Sequence, residues 1–103
     1  MMKYEVCKID ELEIGETRKL DLDPPIAIVR GESGQVYAID DTCSHATASL
    51  SEGFVEDDTV ECPLHMAVFC LRTGEPQCKP ATKPVATHTV FIKDDMIFVE
   101  VDR

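Results

Sequence analysis

Apolar residues along the chain fall in short runs that alternate with polar ones or stop at turn residues. No window long enough for a substantial helix keeps a 3.6-residue apolar stripe. Tyr4 to Cys7 reads as a first strand, followed by an acidic stretch from Asp10 to Glu16 with a turn at Gly15. Pro25–Arg30 and Gln35–Ile39 flank Gly31-Glu32-Ser33-Gly34, the pattern of a hairpin. Thr89–Ile92 and Met96–Val101 flank Lys93-Asp94-Asp95 and predict a second hairpin. Pro24, Pro25, Pro76, Pro80 and Pro84 avoid the clearest strand cores, as a residue without an N–H must. Only residues 46–52 offer a short helical turn. The expected fold is therefore all-β, a small antiparallel barrel or sandwich. With no repeat, low-complexity tract or Gly/Ser linker, residues 1–103 are expected to form a single domain.

Charge narrows the partners. Twenty acidic against ten basic side chains give a net −10, which argues against binding nucleic acid or an anionic membrane. It suits docking on a basic protein face, or plain solubility. Met1 to Glu5 carry Lys3 and Glu5 and no long apolar run follows, so no secretory leader is expected. Apolar runs such as Met66–Leu71 are too short to span a bilayer, and the expected location is cytoplasmic. Aromatic content is 6% with no Trp, so much of the core falls to Val, Ile, Leu and Met. Five cysteines, an odd count, make a poor disulfide framework in such a chain; metal binding or buried thiols explain them better.

Two of the cysteines carry a pattern. Cys43-Ser44-His45 is followed, after sixteen intervening residues, by Cys62-Pro63-Leu64-His65. Thiolate is a soft donor suited to iron–sulfur clusters or zinc, and neutral imidazole is a borderline one. Each segment can give one ligand to each of two metal atoms. Cys43 and Cys62 can then bind one iron and His45 and His65 the other, the ligand set of a Rieske centre. Residue types alone leave alternatives open. A Cys2His2 zinc site uses the same donors, although it normally pairs Cys with Cys and His with His. A cluster held by Cys43, Cys62, Cys70 and Cys78 has gaps unlike short ferredoxin spacings and would leave both histidines idle. Chance placement of structural Cys and His is a further alternative.

The motif and its flanks resemble a known family. Leu50-Ser51-Glu52-Gly53-Phe54, Val60-Glu61 ahead of Cys62, and Phe69-Cys70-Leu71-Arg72-Thr73-Gly74 are similar to the small Rieske ferredoxins of bacterial aromatic-ring-hydroxylating dioxygenases. The resemblance is specific over residues 43–74. It implies a Rieske-type barrel with a cluster-binding subdomain of two loops, about residues 42–80, and one [2Fe–2S] cluster per chain on Cys43, His45, Cys62 and His65. It implies a one-electron carrier with no catalytic residues of its own. The partners it implies are a flavin-dependent NAD(P)H reductase and a terminal Rieske non-haem iron oxygenase. The other functional readings are a small subunit of another oxidoreductase such as nitrite reductase, or the zinc module.

Further expectations hang on the resemblance. Ala48 and Leu64 stand where high-potential Rieske proteins place a disulfide, and Ala67 and Phe69 where they place hydroxyl donors. Together with Glu52, Glu56, Asp57, Asp58 and Glu61, this predicts a potential near the low Rieske limit of about −150 mV. Backbone N–H groups of 45–48 and 65–68 are expected to bond the cluster sulfurs. Ala46, Met66 and Ala67 are expected to form an apolar collar, and Gln77–Ala81 a covering loop. Imidazole ligation predicts a potential that falls with pH once a ring nitrogen ionises. Cys7, Cys70 and Cys78 are expected to pack as small hydrophobes and His88 to be a packed or surface histidine.

Overall fold

Both hairpins expected from the apolar pattern are present in the computed structural model, which describes residues 2–43, 48–63, 67–77 and 83–101. The first joins β3 (Ile26–Arg30) to β4 (Val36–Asp40), and the second joins β8 (Thr87–Lys93) to β9 (Met96–Val101). With β1 (Met2–Lys8) and β2 (Thr17–Leu20) they form a six-stranded antiparallel sheet in the order β1-β9-β8-β4-β3-β2. A separate antiparallel sheet of three short strands follows β4: β5 (Phe54–Glu56), β6 (Thr59–Glu61) and β7 (Val68–Cys70). The fold is all-β, as expected, and the described residues contain no α-helix.

The apolar run in β3 is continuous because both of its faces are covered. Ala27 and Val29 pack with Ile39, Leu50, Val60, Phe69 and Leu71 in one core cluster. Ile26 and Ile28 pack on the opposite side with Leu12, Ala38, Ile97, Val99 and Val101. In β9 burial alternates strictly, with Ile97, Val99 and Val101 inward.

Several elements differ from the sequence expectation. The second hairpin turn is tighter than Lys93–Asp95, because Lys93 already pairs with Met96. Asp94 and Asp95 alone make it, with φ of 52° and 64°, as a two-residue hairpin turn requires. Within 46–52 the described residues form one 3-10 turn, Leu50–Glu52; residues 46 and 47 lie outside the described set. Strands β2, β5, β6 and β7 had no clear signal. Three or four residues give at most two alternations, too few to separate a strand from a loop. Among the described residues no helix is long and apolar enough to cross a membrane.

Candidate metal centre

Two loops of equal length open from the ends of this framework. Thr42 bridges Ser49 at the base of the first, and Glu61 pairs with Val68 at the base of the second. One step further in, the Cys43 N–H donates to the Ala48 carbonyl at 2.9 Å and the Cys62 N–H to the Ala67 carbonyl at 2.6 Å. The cysteines thus occupy matching positions at the start of two matching loops. Both are buried, 4% and 0% exposed, and both belong to the core cluster that β3, β6 and β7 build. Neither is in a disulfide. Two sulfurs held in one apolar cluster by two separately braced loops are a donor set that a metal cluster can use. His45 and His65, the other two sequence-predicted ligands, lie outside the described residues. So do Ala46, Met66, Cys78 and most of the expected covering loop.

Other cysteines sit elsewhere. Cys7 is buried in β1 with the second core cluster. Cys70 lies on β7 and is half-buried. Among the described residues no group of three or more His, Cys, Asp or Glu side chains is close enough to hold a metal, so Cys70 does not join Cys43 and Cys62. His88 is packed, its Nε2 2.8 Å from Asp40 Oδ1 across the β4–β8 pair.

Two features of the surroundings were not anticipated. Asp41 is 2% exposed, the only polar or charged side chain buried to this degree among the described residues. Its Oδ1 accepts the Ser51 N–H at 2.9 Å, and its Oδ2 accepts the Ser49 hydroxyl. Its backbone carbonyl accepts the Leu50 N–H at 2.7 Å. The sequence held a signal: Tyr37 and Ile39 face the Cys43 cluster, and the same alternation carries Asp41 to that side.

The second feature is the outer face of the small sheet. Val55, Val60 and Phe69 form its inward row, leaving Phe54, Glu61 and Val68 in register across the outside, one residue from Cys62. Phe54 is 67% exposed and lines a cavity of 280 Å³ with Glu56, Thr59, Glu61 and Val68. Ala67, expected in an exposed collar, is instead fully buried, so the described apolar surface here belongs to Phe54.

The acidic residues between the cysteines also divide. Asp57 and Asp58 form the β5–β6 turn, three residues and about 10 Å of strand from Glu61. Asp58 is occupied there, accepting from the Ser33 hydroxyl at 3.0 Å and the Tyr37 hydroxyl at 3.3 Å. Of the five carboxylates expected near the centre, Glu52 and Glu61 are at the loop end of the sheet and Glu56, Asp57 and Asp58 at the other.

The profile of the Rieske [2Fe-2S] domain matches residues 2–89 of this sequence. The chain belongs to the Rieske [2Fe–2S] family. A Rieske-type [2Fe–2S] cluster is accordingly its cofactor, and the paired cysteine loops fit that group. The chain is 49% identical, over its full length and 98% of the relative, to the 3-phenylpropionate/cinnamic acid dioxygenase ferredoxin subunit of Photorhabdus laumondii subsp. laumondii. In structure it matches the ferredoxin of carbazole 1,9a-dioxygenase from Nocardioides aromaticivorans IC177 with a TM-score of 0.88 and 34% identity, covering 96% of this chain and 97% of that one. A chain in a complex of reduced oxygenase and oxidized ferredoxin of carbazole 1,9a-dioxygenase matches with a TM-score of 0.90 and 35% identity, over 94% of this chain and all of that one. These relatives are ferredoxins, electron-transfer components rather than catalysts, and this Rieske chain is of the same kind.

Proposed function

We propose that this Rieske ferredoxin carries single electrons from a flavin-dependent NAD(P)H reductase to a terminal Rieske non-haem iron oxygenase acting on 3-phenylpropionate or a related arylpropenoate. The observation that carries this reading is the 49% identity, end to end, with a ferredoxin subunit named for that dioxygenase. Cys43 and Cys62 would hold one iron, and His45 and His65, which fall in sequence inside the Cys43–Ala48 and Cys62–Ala67 closures, the other. When bound, the cluster takes up and gives out one electron. The chain's own part is to hold it. Two braced loops fix the sulfurs, and Val60, Phe69 and Leu71 exclude water behind them. Residues 1–103 would act as one unit, with the cluster-binding part at about 42–80, in the cytoplasm, where reducing conditions keep thiols available. Neither nucleic acid nor membrane is a partner of such an acidic carrier.

Spectroscopy and transfer kinetics test the reading together. The dithionite-reduced protein is expected to give a Rieske EPR signal, and His45→Cys to move absorption and EPR towards an all-thiolate centre. An unchanged spectrum removes His45 from the ligands. Mixed with a terminal oxygenase for 3-phenylpropionate, the reduced protein should reoxidise rapidly. Equal or faster reoxidation by a carbazole-type oxygenase would refute the assigned substrate class.

A further inference from the structure

Asp41 combines near-complete burial, full hydrogen bonding and a place two residues before Cys43. An ionisable side chain is seldom buried to this degree without paired partners. Both carboxylate oxygens face donors, as suits an acceptor-only group. The partners come from the far side of the loop: Ser49 and Ser51 return the chain after the segment that Cys43 begins. Backbone bonds reinforce the closure, with Leu50 N–H on the Asp41 carbonyl and Asp41 N–H on the Pro25 carbonyl at 3.1 Å. The Ser49 and Ser51 hydroxyl oxygens lie 2.8 Å apart, and the Thr17 hydroxyl donates to the Ser51 carbonyl, tying the returning 3-10 turn to β2. The second loop, closed on the matching Cys62–Ala67 bond, has no buried carboxylate among its described residues. The two loops are alike in backbone and unlike in charge.

We infer that Asp41 is a positioning residue that closes the first ligand loop and sets the reduction potential low by keeping a buried negative charge behind Cys43. This rests on the assignment of Cys43 to the cluster. The physical basis is simple. Reduction adds a negative charge, and a carboxylate shielded from solvent opposes it with little screening by salt. The Ser49 hydroxyl and the Ser51 amide aimed at the carboxylate moderate its field without cancelling it. The closure itself needs no charge, because an amide of the same shape still accepts from Ser51 N–H, and the Ser49 hydroxyl can turn to accept from the amide NH2. Position and charge can therefore be separated.

The test compares Asp41→Asn with the wild type by iron content, EPR line shape and spectroelectrochemical midpoint. The expected result is unchanged iron and line shape with the midpoint shifted upward. An unchanged midpoint in a fully loaded Asp41→Asn protein overturns the inference. If that variant does not hold iron, Ser49→Ala/Ser51→Ala decides. It keeps the carboxylate but strips the Ser49 hydroxyl that donates to it and the Ser51 hydroxyl beside that one, so the midpoint should shift downward; no shift, or an upward one, overturns the inference. Asp41→Ala, which loses the closure as well, should release iron to a chelator faster than the wild type, whereas equal release overturns the positioning role. A wild-type protein with no Rieske EPR signal would instead refute the ligand assignment, a separate failure.

Discussion

Cys7 and Cys70 show how surroundings make two thiols of one chain behave differently. Burial in β1 pushes the Cys7 thiol above its ordinary 9.0; the Arg18 charge opposes this, and Glu11, Asp10 and Glu16 add to the rise. For Cys70 the Thr73 hydroxyl leads in the other direction, stabilising the thiolate along with the Thr73 and Arg72 amides and the Arg72 charge, against a burial effect. The signs for stability follow. The Cys7 contribution is intact below 9.0 and is lost as pH rises through the raised value, whereas Cys70 in its lowered range gains stability as pH climbs towards 9.0. Iodoacetamide near neutral pH, read by peptide mapping, is expected to label Cys70 well before Cys7, and Cys7 only on unfolding. Labelling of both at one rate would contradict the assignment. At this scale the sequence showed that Cys7 and Cys70 lay outside the ligand pattern. It did not show the Thr73 contact, because that depends on the turn after β7.

That turn governs an element. Gly74 has φ of +78°, its N–H donates to the Cys70 carbonyl at 2.7 Å, and its own carbonyl accepts the Val85 N–H at 2.9 Å. A Cβ on it would run into the Val85 carbonyl oxygen. Gly74→Ala should therefore cost about 2 kcal/mol or more, combining left-handed strain with the clash, and lower the urea midpoint accordingly. A change below about 0.5 kcal/mol would show that the turn has room to shift. The sequence marked Gly74 as a turn beside the ligand motif, and the long strands were legible for a related reason. β3 and β9 repeat their burial over five or six residues, one on both faces and one on alternate positions. Strands β5 to β7 are three residues each and became strands through pairing with one another, which a linear pattern does not display. The equality of the two ligand loops was hidden too, since Thr42, Ser49, Glu61 and Val68 share no residue type.

For the whole molecule, the net charge of −10 is less concentrated at the centre than its sequence position implied. Asp57 and Asp58 are carried to the far turn, and Asp58 is engaged in holding the small sheet to the β3–β4 hairpin. What remains near Cys62 is Phe54 with Glu61 beside it and Glu52 just ahead in sequence. An exposed aromatic with carboxylates around it suits a basic partner face that has an apolar recess. Phe54→Ala is expected to raise the oxygenase's KM for the ferredoxin roughly tenfold, leaving the midpoint potential and iron content unaltered. Rising salt should weaken the wild-type interaction, because the carboxylates act through solvent. A salt-independent KM would mean that the acidic excess serves solubility only. The sequence drew attention to the paired Cys/His motif but not to this face, because Phe54 is one apolar residue among many until Val55 is seen to point the other way.

Burial of β3 on both sides has a consequence for assembly. The strand is a wall between two cores, and only one of them contains Cys43 and Cys62. The other, closed by Ile26, Ile28, Ile97, Val99 and Val101, owes nothing to either cysteine. The larger sheet can thus keep that second face packed while the half that holds Cys43 and Cys62 is unfinished. Loss of iron to oxidation would then be an injury from which the same molecule can be reloaded.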